Sequence, residues 1–145
     1  MRHEAEAYIK LMDDKGIHHD NIDVLNSGKF DVETRWNLEE TTVSVRSIFD
    51  DDGHTVAIRC YRLAHTKADR LDDVLKVCNE LNNRFRWVKF VIDKDNDVNI
   101  ETDCIVSENT AGEVVLELVQ RLCGIADDAY PELMKAIYGY KQDKT

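Results

Sequence analysis

An α+β fold, an antiparallel sheet packed with helices, is what this sequence of 145 residues predicts. Three observations carry that expectation. Apolar and polar residues alternate in several short runs, as strands with one buried face require. Two longer segments place apolar residues every three or four positions, the spacing of one helix face. Short turn signals separate the runs, which joins neighbouring strands antiparallel and segregates the helices around them.

The first element is a helix over residues 3–15, with Ala5, Tyr8, Leu11 and Met12 on one side and Gly16 as its stop. Gly28 marks a turn, and Lys29 to Trp36 then alternates like a strand. Val43, Val45, Ser47 and Phe49 line one side of a second strand. Asp52-Gly53 is a hairpin signal because both residues tolerate positive φ. Val56, Ile58 and Cys60 resume the alternation beyond it. A second helix is expected from Thr66, with Asp69 as a capping partner and Leu71, Val74, Leu75, Cys78 and Leu81 facing inward. Strands follow over Arg86 to Ile92 and Val98 to Val106.

Thr110-Ala111-Gly112-Glu113 reads as a capping box, opening a segment that buries Val114, Val115, Leu118, Val119 and Leu122. Pro131 lacks the N–H that a helix interior requires. Residues 111–139 are therefore expected as a kinked helix or two helices, the second carrying Leu133, Met134 and Ile137. No repeat or linker interrupts the chain, and residues 1–145 read as one domain.

The net charge of −10 argues against nucleic acid as a partner, since phosphate binding needs a basic surface. No apolar run approaches the ~20 residues of a membrane span. The first residues lack a signal-peptide core, so a cytoplasmic protein without membrane attachment is expected. Cys60, Cys78, Cys104 and Cys123 stand at apolar-periodic positions and read as small buried hydrophobes. His3, His18, His19, His54 and His65 fall in expected loops or near element ends. No nucleophile, metal or phosphate-loop motif appears, so no catalytic residue, metal or cofactor is assigned. A small enzyme or metal-dependent protein with a site not visible in sequence is the alternative.

Two stretches resemble functional motifs. Residues 93–104, DKDNDVNIETDC, open with carboxylates at the spacing of a calcium loop. Such a loop needs Gly at its sixth position and a bidentate Glu at its twelfth. Val98 and Cys104 stand there, between strand-like flanks, so a hairpin turn near Asp95-Asn96 is the reading. The aromatic spacing of Phe85-Arg86-Trp87-Val88-Lys89-Phe90 is similar to a base-stacking strand of RNA-recognition motifs. Arginines replace the small residues beside its first aromatic, and ordinary sheet filling fits better.

One surface stands out. If Val56, Ile58, Val88, Phe90, Ile92, Val98 and Ile100 face the helices, alternation turns Arg46, Ile48, Arg59, Tyr61, Trp87, Lys89 and Val91 the other way. Aromatic and basic groups on an acidic protein suit a protein partner or self-association. Arg46, Arg59, Tyr61, Trp87 and Lys89 form the candidate partner-binding face, unless the C-terminal helices cover it.

Leu81-Asn82-Asn83-Arg84-Phe85-Arg86-Trp87-Val88-Lys89-Phe90, followed by Asp93-Lys94-Asp95-Asn96-Asp97, resembles the central signature of the YbjN family of bacterial sensory transduction regulators. Glu113 to Leu118 and Ile125 to Leu133 resemble its C-terminal pattern, and the likeness is strongest over residues 70–138. The resemblance implies a fold like that of class I type III secretion chaperones, an α/β sandwich. It also implies a homodimeric, non-enzymatic module without cofactor that binds a partner protein. The family turn carries glycine where Asn96 or Asp97 stands here, which Asn and Asp tolerate.

Overall fold

The computed structural model describes residues 3–139. In chain order these form α1 (His3–Asp14), β1 (Asn21–Val24), β2 (Phe30–Asn37), β3 (Thr42–Phe49) and β4 (Thr55–His65). A short 3₁₀ turn at Ala68–Arg70 leads into α2 (Leu71–Arg84), then β5 (Lys89–Ile92), β6 (Asp97–Ile105) and α3 (Ala111–Tyr138). The strands make one antiparallel sheet in the order β1-β2-β3-β4-β6-β5. Helix α2 carries the chain from β4 to the sheet edge, and β6 returns to fill the gap. The predicted α+β class is the one found.

Alternation decides which sheet face is buried. Val32, Val45, Phe49, Val56, Ile58, Phe90, Val98 and Ile100 point one way and are shielded from solvent. The long α3 crosses this face over β4 and β6, with α1 and α2 packed against it. The Tyr8 ring of α1 meets Phe49 at 5.8 Å. Its phenol lies beside Ser47 and Thr34, and burial pushes it up to about 12. Gly112 allows α1 and α3 to approach closely, since a Cβ there would stand 3.0 Å from the Ala7 carbonyl oxygen.

Local structure departs from the sequence reading at several points. The sequence reading assigned no element to β1. Its four residues are all exposed, so no buried face announces it by alternation. α2 begins at Leu71 rather than Thr66, whose hydroxyl donates to the Lys67 carbonyl (3.1 Å) and caps nothing. Leu75 is 48% exposed and Val77 packs against the core instead. The helix face is rotated slightly from the one its apolar spacing suggests. No side chain caps α3 in the predicted box; Thr110 Oγ1 instead accepts from the Ser107 N–H (2.9 Å). Val114 and Leu118 are only partly buried, while Leu116 is buried. Pro131 does not split the segment, which runs as one helix of 28 residues with the proline on its exposed side.

Both hairpin turns form as read. Gly53 takes φ +82° between β3 and β4. Asn96 takes φ +62°, and the Asp93 N–H donates to the Asp97 carbonyl (3.0 Å).

Candidate partner-binding face

The sheet face opposite the helices carries a row of side chains in register across all six strands. Asn21 pairs Glu33, Glu33 pairs Arg46, Arg46 pairs Arg59, Arg59 pairs Glu101, and Glu101 pairs Lys89. No described helix packs on this face, so the alternative in which the C-terminal helices cover it is set aside.

Like charges opposite one another destabilise a ladder, and Arg46 and Arg59 are opposite. Each turns to carboxylates on its outer side. Arg46 makes a two-nitrogen hydrogen bond to Asp31 Oδ2, which raises the guanidinium's already high pKa. Asp31 is only 2% exposed beneath it. Arg59 reaches Asp103 (2.9 Å) and Glu101 (3.9 Å) and donates to the carbonyls of Thr102 (2.8 Å) and Ile58 (3.0 Å). Lys89 stands 3.7 Å from Glu101. Glu33 accepts from Ser44 and from Asn21 (2.8 Å), which holds its carboxyl below the usual range.

Tyr61 follows Arg59 on this face by alternation and stands at the start of an irregularity. β4 and β6 pair at Cys60 with Ile100 and again at Ala64 with Val98, so residues 61–63 stand opposite Asn99 alone. Arg62 takes φ +56° inside this bulge, and its N–H donates to Asn99 Oδ1 (2.8 Å). The buried Asn99 donates in turn to Asp93 Oδ2 (2.9 Å). The bulge leaves Tyr61 48% exposed and within electrostatic reach of Arg46.

Trp87 is placed differently from the reading. β5 begins only at Lys89, and Trp87 precedes it at φ +80°, which breaks the alternation. The ring therefore sits at the sheet edge, 55% exposed, near the guanidiniums of Arg86 (5.6 Å) and Arg121 of α3 (5.3 Å). It lines an open groove with Phe85, Gly124 and Ile125. It also borders a second hollow with Lys89 and Thr102 on the sheet side. The five candidate residues thus divide into a face of Arg46, Arg59, Tyr61 and Lys89 and a rim residue, Trp87. Sequence alternation could not show this because it assumes an unbroken strand.

The acidic turn is occupied by its own backbone. The Asn99 amide donating to Asp93 Oδ2 (2.9 Å), with the N–H groups of Asp97 (3.1 Å) and Asp95 (2.9 Å) donating to Oδ1, holds the Asp93 carboxyl below the usual range. Among the described residues no group of three or more His, Cys, Asp or Glu is placed to hold a metal ion. Cys60, Cys78 and Cys123 are buried and Cys104 half-buried. Burial pushes the thiols of Cys60 and Cys123 up to about 12 and those of Cys78 and Cys104 to about 11. Among the described residues no helix is long and apolar enough to cross a membrane.

A six-stranded antiparallel sheet with helices on one face and the other face open places the chain among α+β proteins of one-sided sheet architecture. The chain belongs to the YbjN family, described as "Putative bacterial sensory transduction regulator", whose sequence pattern matches residues 10–135. That match extends well before residues 70–138, over which the resemblance of the sequence is strongest. The fold is similar to that of a crystal structure of YbjN from E. coli, described as "a putative transcription regulator". Identity to it is 12%, the alignment covers 88% of this chain and 92% of that one, and the TM-score is 0.57. It is also similar to an uncharacterised protein from Methanothermobacter thermautotrophicus, with 14% identity, 94% and 97% coverage and a TM-score of 0.57. No curated protein matches the chain.

Proposed function

We propose that this chain is a non-enzymatic, protein-binding adaptor or chaperone-like regulator that engages its partner through the helix-free sheet face. The observation supporting this reading is the uncovered row from Glu33 to Lys89, flanked by Tyr61 and rimmed by Trp87. Interfaces draw most of their binding energy from a few aromatic and arginine anchors surrounded by satisfied polar groups. Here the charges are already paired within the face. A partner can therefore cover them without stranding a buried charge, the costly outcome when one member of an ion pair is lost. Homodimerisation and a cytoplasmic setting belong to the same proposal.

The test is affinity capture from the source organism with mass spectrometry. Wild type is compared with Tyr61→Ala, Trp87→Ala and a control, Lys76→Ala, on the outer side of α2. Specific recovery of one protein by wild type and by the control, and its loss with Tyr61→Ala, is the expected result. Equal recovery by all four chains would remove this face as the contact surface. Sedimentation velocity across a hundredfold concentration range separates a dimer from a monomer.

A further inference from the structure

Beside the β4 bulge, a cleft of about 370 Å³ opens between the end of β4 and the last turns of α3. That volume is at the small end of the ~300–1,000 Å³ typical of ligand pockets. Leu63, Ala64 and Ile137 are buried along it, and Met134 is half-buried. The cleft is therefore apolar in its depth.

Its rim carries basic side chains. Arg62, His65 and Lys67 line it, and no lining residue is acidic, on a chain of net charge −10. Two of these groups already have an anion. Asp97 lies 2.8 Å from His65 and 3.4 Å from Arg62. Lys67 has no ion-pair partner among the described residues; its ammonium stands 6.0 Å from the centre of the Tyr138 ring. Lys67 is not needed to serve the carbonyl end of α3 either, because Arg70 Nε donates to the Ala136 carbonyl (3.0 Å).

The backbone beside the cleft is strained, which is an independent observation. Arg62 holds a left-handed conformation, stabilised by the buried amide of Asn99. Bulges of this kind gather next to binding sites, where they re-aim side chains, and backbone strain persists only where surrounding structure enforces it.

We propose that this cleft binds a small monoanion with an apolar body, a medium-chain carboxylate. Its headgroup meets the Lys67 ammonium at the rim and its chain lies over Leu63, Met134 and Ile137. Among the described residues Lys67 is the rim cation without an ion-pair partner, which selects a single negative charge, and the apolar depth selects a hydrocarbon tail. The site is separate from the sheet face and does not depend on the partner-binding reading.

Calorimetric titration of the full chain with sodium octanoate tests it, with 1-octanol and sodium acetate as the tail-only and head-only controls. Octanoate is expected to bind saturably at one site, at least tenfold more tightly than either control. Lys67→Gln should weaken octanoate at least fivefold and leave octanol unchanged, while Lys76→Gln changes neither. Met134→Trp should fill the cleft and abolish binding in a chain whose circular dichroism and melt match wild type. Equal affinity for octanol and octanoate, absence of saturable octanoate binding to wild type, or indifference to Lys67→Gln would overturn the proposal.

Discussion

Asn82 of α2 engages both backbone polar groups of Phe90. Its Oδ1 accepts from the Phe90 N–H (2.6 Å) and its Nδ2 donates to the Phe90 carbonyl (3.1 Å). β5 is an edge strand, and an edge with unpaired N–H and C=O groups invites pairing with another chain. A side-chain amide reproduces what a further strand would offer and closes this edge at its centre.

Asn82→Ala should therefore lower stability by about 1–3 kcal/mol, since both Phe90 groups lose their partner. Urea unfolding reads the change. Asn83→Ala removes only a bond to the Asn79 carbonyl on the exposed side of the same helix and should stay within about 0.5 kcal/mol of wild type. Equal losses in both variants would show that α2 helicity, rather than edge closure, is what the urea melt measures.

Arg46 and Asp31 make the second prediction. Arg46→Ala leaves a carboxylate of 2% exposure without its guanidinium. The loss should reach about 2–3 kcal/mol, below the ~3–5 of a fully buried pair because Arg46 remains 40% exposed. Adding Asp31→Asn removes the stranded charge and should recover part of the loss. A double variant less stable than Arg46→Ala alone would argue against that account.

The third concerns acid. Asp52 accepts from Thr55 Oγ1 and from the N–H groups of His54 and Thr55, which lowers its carboxyl from 3.8 to about 2. Between those values the unfolded chain binds more protons than the folded one, so stability falls as pH drops. The contribution is complete above the unfolded value and lost on descending from about 4 to 2. Asp52→Asn should flatten the melting temperature over that window and leave its slope above pH 5 unchanged. Asp93, Glu33 and Glu132, also held below their usual range, keep part of the slope in the variant.

Trp87 supplies the fourth. At φ +80° any residue with a Cβ is strained, and glycine is not. Trp87→Gly should be more stable than Trp87→Ala by about 1 kcal/mol, the cost of a left-handed conformation for a residue with a Cβ. Thermal melts of the two variants check the order, and the reverse order would show that the backbone here relaxes once the ring is gone.

Much of the fold was legible because burial imposes a period. Val43 to Phe49, Val56 to Cys60 and Val98 to Cys104 alternate as predicted, and the helix-facing residues named from that alternation lie where alternation puts them. The hairpin at Asp93 to Asp97 was legible from turn chemistry, since Asn96 tolerates the conformation that Val98 would resist as a loop residue. β1 was not, because Asn21 to Val24 is exposed on both faces and carries no pattern. Leu75 misled because a helix of one apolar stripe can rotate by a residue when Val77 finds the better contact.

By itself the sequence determined the fold class, the inward face of four strands and the family pattern around Leu81 to Asp97, since each depends on local spacing and composition. Only the tertiary structure decided that a bulge starts at Tyr61, that Trp87 leaves the sheet to meet Arg121, and that Lys67 faces an apolar cleft. Those relationships join residues distant in sequence: Tyr61 with Asn99, Trp87 with α3, Lys67 with Ile137. Their energies come from groups that meet only after the sheet and helices have packed, and no period along the chain encodes such a meeting.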